Sequence, residues 1–166
     1  LQKLNATHAG LVASLPAHSQ DPQEVQALDR VVQLALPAFR EAMQQAGFAS
    51  NGLGPRGAVV LGTCSGGMRT IERHYELLSR GDDFSKDVDY FSKRYHFATK
   101  ILAWAAGASG PSFTVVTACA AGSGAIAAAA DLIRVGLADV VIAGGADSFA
   151  PSTLVGFDAL KATCQG

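Results

Sequence analysis

Two cysteines stand where an apolar run gives way to small residues, a setting in which a thiol can become a nucleophile. In Phe113-Thr114-Val115-Val116-Thr117-Ala118-Cys119-Ala120-Ala121-Gly122 a β-branched run stops at Cys119, and strong helix formers follow from Ile126 to Ile133. A strand that turns directly into a helix sets the residue at the turn beside unbonded N–H groups at the positive end of the helix dipole. A thiol held there is favoured as thiolate, and nearby amides can receive a developing oxyanion. Gly62-Thr63-Cys64-Ser65-Gly66 is the rival. Its Gly-x-Cys-x-Gly spacing, between an apolar strand and a following helix, is that of a nucleophile elbow. An elbow needs a base. His74 lies on the following helix, where spacing puts it on a polar face with Arg73, and a glycine loop allowing close backbone approach is the plainer reading. Free cysteine is also a common buried filler, so Cys119 has a structural alternative of its own.

The elements that must position these residues follow from periodicity. Ala58-Val59-Val60-Leu61 has the composition of a buried strand, and residues 68–80 of a helix. After Cys119, Ala125, Ile126, Ala129, Ala130, Leu132, Ile133 and Val135 predict an apolar helix ended by Gly136, with Arg134 in its last turn. Asp139-Val140-Val141-Ile142-Ala143 predicts a second buried strand ending at Gly144-Gly145-Ala146-Asp147. Strand, helix and strand with continuous apolar runs indicate an α/β fold with a mostly parallel sheet covered on both faces. Ligands of such sheets gather at the carboxyl ends of the strands. Residues 62–67, Cys119 and Gly144-Gly145 all lie at such ends.

Upstream, residues 1–20 read as an irregular lead-in. Asp21-Pro22-Gln23-Glu24 predicts a helix start, with an apolar stripe through Val25, Leu28, Val32, Ala35, Phe39 and Met43, a kink at Pro37 and a stop at Gly47. Gly52-Leu53-Gly54-Pro55-Arg56-Gly57 matches Gly-x-Gly-x-x-Gly, but it follows a helix and precedes a strand. The dinucleotide fingerprint needs the opposite order, so a plain loop is expected. Residues 82–106 mix aromatics with lysine and arginine, and Asp82, Asp83, Asp87 and Asp89 cancel much of that charge. A packing, lid or dimer surface fits better than nucleic-acid binding, with Trp104 in the core and His96 structural or at the surface.

Composition agrees with an ordinary domain. The 166 residues are 49% hydrophobic with a formal net charge of −1, which excludes a nucleic-acid stripe or polybasic membrane patch. The three cysteines, Cys64, Cys119 and Cys164, form no Cys-x-x-Cys pair or metal cluster, so reduced thiols in a cytoplasmic setting and no cofactor or metal are expected. No apolar run suits a membrane span. The chain starts at Leu1 without Met and stops in mid-sequence at Gly166, as a piece of a longer protein would.

Gly110-Pro111-Ser112 leading to Thr117-Ala118-Cys119-Ala120-Ala121-Gly122 resembles the active-site segment of the β-ketoacyl-acyl carrier protein synthases, thiolase-fold condensing enzymes. The likeness continues through Asp131-Leu132-Ile133-Arg134, Ala138 to Asp147, and Gly156-Phe157-Asp158-Ala159-Leu160-Lys161. Around Cys119 it is closer to the discrete elongating type than to modular polyketide synthases. The resemblance implies the amino-terminal part of the thiolase-like fold over 1–166, without its first strand and carboxyl-terminal half. Strands 58–61 and 140–143 would then flank a gap and leave apolar edges exposed. It implies Cys119 as nucleophile, with its own amide as an oxyanion donor, and acyl and malonyl thioesters of acyl carrier protein as substrates. Cys64, Ser65 and Gly66 would border the acyl pocket, and a homodimer would pair through Phe113 to Thr117. The family's paired histidines and lysine belong to a later part of the protein, so the chain alone is expected to be inactive. Two alternatives stand beside this reading: a hydrolase using Cys64, and a non-catalytic partner subunit or carrier-protein docking module.

Overall fold

The computed structural model describes residues 12, 28–48, 52–81 and 95–164. Its centre is a parallel sheet of β1 (Gly57–Gly62), β2 (Ser112–Val115) and β3 (Val140–Gly145), in the order β2-β1-β3. β1 is buried from end to end, which accounts for its unbroken apolar composition. Its side chains alternate between two cores. Val59 and Leu61 join the core built by α1 (Arg30–Gln45) and α3 (Phe97–Ala105). Ala58 and Val60 join Ala125, Ala129 and Leu132 of α4 (Ala121–Arg134). The sheet thus lies between helical layers, with α2 (Met68–Ser79) and α5 (Pro151–Ala159) beyond its carboxyl end.

Several expectations are corrected. β1 and β3 pair directly, in register from Gly57↔Val140 to Gly62↔Gly145, so no gap separates them. A continuous ladder leaves no width for another strand, because paired strands lie about 4.8 Å apart. The sheet's outer edges are instead the far sides of β2 and β3. The first described helix begins at Arg30, where the Asp29 side chain accepts the Val31 N–H at 2.9 Å and caps it. An uninterrupted helix from Asp21 is therefore wrong, and Asp21 to Glu24 lie outside the described residues. Pro37 sits inside α1, and Gly47, at φ +80°, ends it.

Trp104 is 79% exposed rather than in the core. Ala98, Thr99 and Leu102 form the buried face of α3, and 104 falls on the opposite side at 100° per residue. α4 buries Ala121, Ala125, Ala129 and Leu132; Ile126 and Ile133 are exposed, as are Val135 and Leu137 after it. β3 is likewise only partly buried. No helix among the described residues is long and apolar enough to cross a membrane.

Candidate functional site

Cys119 lies on the middle of a short 3-10 turn, Ala118–Ala120, between β2 and α4. The turn is sharp: Ala118 takes φ +51°, left-handed backbone that costs a non-glycine residue about 1 kcal/mol or more. Residue 119 is exposed, and no side chain caps the N-terminus of α4. Uncapped first-turn N–H groups are a polar resource for an anion.

Glycine lets three backbones meet beneath this turn. A Cβ on Gly62 would lie 2.2 Å from the Ala121 carbonyl oxygen, and one on Gly145 would lie 3.1 Å from Gly122 Cα. Hydrogen bonds tie the same junction across the sheet. Thr63 N–H donates to the Val115 carbonyl at 3.0 Å, and Ala146 N–H to the Gly62 carbonyl at 3.1 Å.

The loop after β1 is held by Asp147, just past β3. Its carboxylate accepts from the Thr63 hydroxyl at 2.7 Å, Cys64 N–H at 2.9 Å, Ser65 N–H at 2.8 Å and the Ser65 hydroxyl at 2.9 Å. Thr63 Oγ1 in turn accepts the Gly66 N–H at 2.9 Å. Partial burial pushes the Asp147 carboxyl up, but the Ser65 and Cys64 amides and the Thr63 and Ser65 hydroxyls more than offset that. Its pKa lies below the ordinary carboxylate value.

These ends enclose a pocket of about 670 Å³. Cys64, Ser65, Cys119, Gly122 and Asp147 line it, together with Phe149, Leu154 and Phe157 from the segment around α5 and Cys164 beyond it. Cys64, Cys119 and Ser65 thus come together as their positions at strand ends predict. Gly66, at φ +52°, does not line the pocket; it packs behind the loop, where a Cβ would meet Tyr95 at 2.8 Å. Burial pushes the Cys64 thiol up, and the charges of Asp147 and Cys119 add to this. Neither described histidine reaches the pocket: His74 Nδ1 is 2.7 Å from the Thr70 carbonyl within its helix, and His96 is the N-cap residue of α3. The described residues hold no group of three or more metal-binding side chains.

The grip of Asp147 and the wall from Phe149 to Cys164 are not apparent from the sequence pattern. The available signals were an acidic residue two positions after a Gly-Gly strand end, and Pro151 at the first helical position of α5.

Residues 16–166 match the family model described as "Beta-ketoacyl synthase, N-terminal domain". The chain belongs to the β-ketoacyl synthase family. Among its relatives, a putative polyketide β-ketoacyl synthase 1 from Streptomyces halstedii is 41% identical over 157 residues, covering 89% of this chain and 37% of that protein. A β-ketoacyl synthase structure from Burkholderia phymatum STM815 superimposes with a TM-score of 0.86 at 24% identity, over 99% of this chain and 41% of that one; this likeness bears on fold alone. The ketosynthase ApeO from Xenorhabdus doucetiae, solved in complex with its chain length factor ApeC, gives a TM-score of 0.76 at 28% identity over 94% and 39%. The fold is the amino-terminal part of the thiolase-like architecture expected from the sequence. The chain spans about two fifths of the length of these relatives.

Proposed function

We propose that the protein containing this chain is an acyltransferase that forms a carbon–carbon bond by decarboxylative condensation, with 1–166 supplying part of its amino-terminal domain. Cys119 attacks an acyl thioester of acyl carrier protein; the acyl group moves to its sulfur and the carrier thiol leaves. Malonyl carrier protein then loses carbon dioxide, and the resulting carbanion attacks the Cys119 thioester. The cysteine departs as thiolate, and a β-ketoacyl product two carbons longer remains on the carrier. Holding the acyl group at one sulfur makes the second step effectively intramolecular. The Cys119 amide and the first turn of α4 are suited to receive the oxyanion of each addition.

The observation that carries this reading is Cys119 itself: exposed, on a sharp strand-to-helix turn, at a pocket with an apolar wall. Cys64 is the weaker candidate, because it is less exposed than Cys119 and burial and neighbouring negative charge push its thiol pKa up. Cys64 and Ser65 serve instead as pocket wall, with Gly66 shaping their loop. The outer edge of β2, with Phe113 and Val116 exposed, suits pairing with a second subunit, either another copy or a related partner. The likeness to a putative polyketide β-ketoacyl synthase of Streptomyces halstedii favours a polyketide-type acyl substrate.

Treatment with an acyl thioester followed by peptide mass mapping tests the assignment. The acyl mass is expected on Cys119, and Cys119→Ala lowers acylation by on the order of 10³-fold or more, as nucleophile removal does elsewhere. Acylation of Cys64 with Cys119 unmodified would favour the hydrolase reading.

A further inference from the structure

We infer that Asp147 is a positioning residue for the acyl pocket: by fixing the Thr63–Ser65 loop it sets one wall of the pocket that Cys119 lines, and with it the lengths of acyl chain the pocket takes. The inference rests on the proposed condensing function and adds a determinant of substrate choice to it.

The carboxylate receives four donors from three consecutive residues at 2.7–2.9 Å. Thr63 is 1% exposed and Ser65 7%, so the loop being held is interior wall. Asp147 itself lines the pocket, as do Cys64, Ser65 and Cys119. The register explains why one residue can do this. Gly62 and Gly145 are paired, so the chains leaving β1 and β3 emerge side by side, with Asp147 two residues beyond the pair. On its other side, the loop is joined to β2 through Thr63 N–H and the Val115 carbonyl, just before the turn that carries Cys119. Thr63 is thus tied at once to the strand leading to the nucleophile and to the carboxylate beyond β3.

The hydrogen-bond inventory adds a chemical consequence. A serine hydroxyl has one proton to donate, and that of Ser65 goes to Asp147. The amide protons of Cys64 and Ser65 go the same way. This wall therefore offers an entering acyl group no free donor from Ser65 and no amide from the loop. Together with Phe149, Leu154 and Phe157 it presents apolar surface to an acyl chain, while Ser148, whose buried hydroxyl has no hydrogen-bond partner, keeps a polar group on the lining.

The test compares wild type, Asp147→Asn, Asp147→Glu and Thr63→Val in the full-length protein. Acylation of Cys119 is followed by mass spectrometry, using N-acetylcysteamine thioesters of saturated acyl groups from acetyl to dodecanoyl and one β-keto analogue. Amide hydrogen exchange at residues 63–66 is measured in parallel. Asp147→Asn is expected to change the ratio of long- to short-chain acylation by roughly tenfold, raise acceptance of the β-keto analogue and speed exchange at Cys64 and Ser65. Asp147→Glu is expected to restore part of each. A uniform fall at every chain length would mean a general structural role and overturn the inference, as would an unchanged profile. Absence of acylation in the wild type would overturn the condensing function instead, and protection of the 63–66 amides then decides whether Asp147 holds the wall.

Discussion

Cys64 and Cys119 share a pocket but differ in surroundings, and alkylation kinetics should separate them. Cys64 is only partly exposed, and burial and neighbouring negative charge raise its pKa. Only thiolate reacts with iodoacetamide, and Cys64 is also the less exposed of the two, so Cys64 should be alkylated at least several-fold more slowly than Cys119 at neutral pH, at a rate that climbs as pH rises. Peptide mapping over a pH series checks this, and faster labelling of Cys64 at pH 7 would count against the assignment of the nucleophile. Asp147 gives the opposite pH dependence. Its folded pKa is depressed, so its contribution is present above the unfolded carboxylate value of about 3.9 and is lost as pH falls through the lower folded value. Exchange at the Cys64 and Ser65 amides should therefore gain an acid-side acceleration that Asp147→Asn lacks. Cys119 was legible in the sequence because its signal is local, a strand, a sharp turn and a helix within about a dozen residues. The grip of Asp147 was not, since its partners lie 82–84 residues away and only strand register brings them together.

At the scale of elements, glycine and a single aspartate decide how closely parts approach. Gly62→Ala would set a methyl group 2.2 Å from the Ala121 carbonyl, in backbone that cannot rotate away. The expected loss is about 2 kcal/mol or more, with Cys119 acylation falling further than stability alone explains; thermal denaturation and acylation rates measured together test this. Asp29 caps α1 and also accepts from the Thr70 amide and hydroxyl of α2. Asp29→Ala should cost about 2 kcal/mol, the upper range for a lost cap, because it also frees α2 from α1. Glu72 anchors α2 at its other contact, accepting Ser152 N–H of α5 at 2.6 Å. β1 was readable from composition, since burial on both faces forces an apolar run, and β3 carries the same kind of run although it is only partly buried. The start of α1 was not, because Asp21-Pro22 and Asp29 are both acceptable caps and only packing chooses between them. Trp104 was misplaced for a related reason: hydrophobicity says what a side chain prefers, whereas the face fixed by Ala98 and Leu102 says where it can go.

For the whole molecule, the chain alone is expected not to condense acyl and malonyl carrier thioesters, because neither described histidine lines the pocket. A carbon–carbon condensation assay on purified 1–166 checks this, and turnover would overturn it. Cys119 acylation is a lesser demand, needing only the thiol and its turn, so the two activities should separate. Ile126, Ile133, Val135 and Leu137 form an apolar margin on and after α4, while Ala125, Ala129 and Leu132 carry that helix's contact with the sheet. Burial of such a margin has a thermal signature: apolar surface leaving water lowers heat capacity, and the driving force weakens on cooling. A surface that covered α4 would therefore be held more loosely in the cold than at room temperature, and calorimetry of its association would show a negative heat-capacity change.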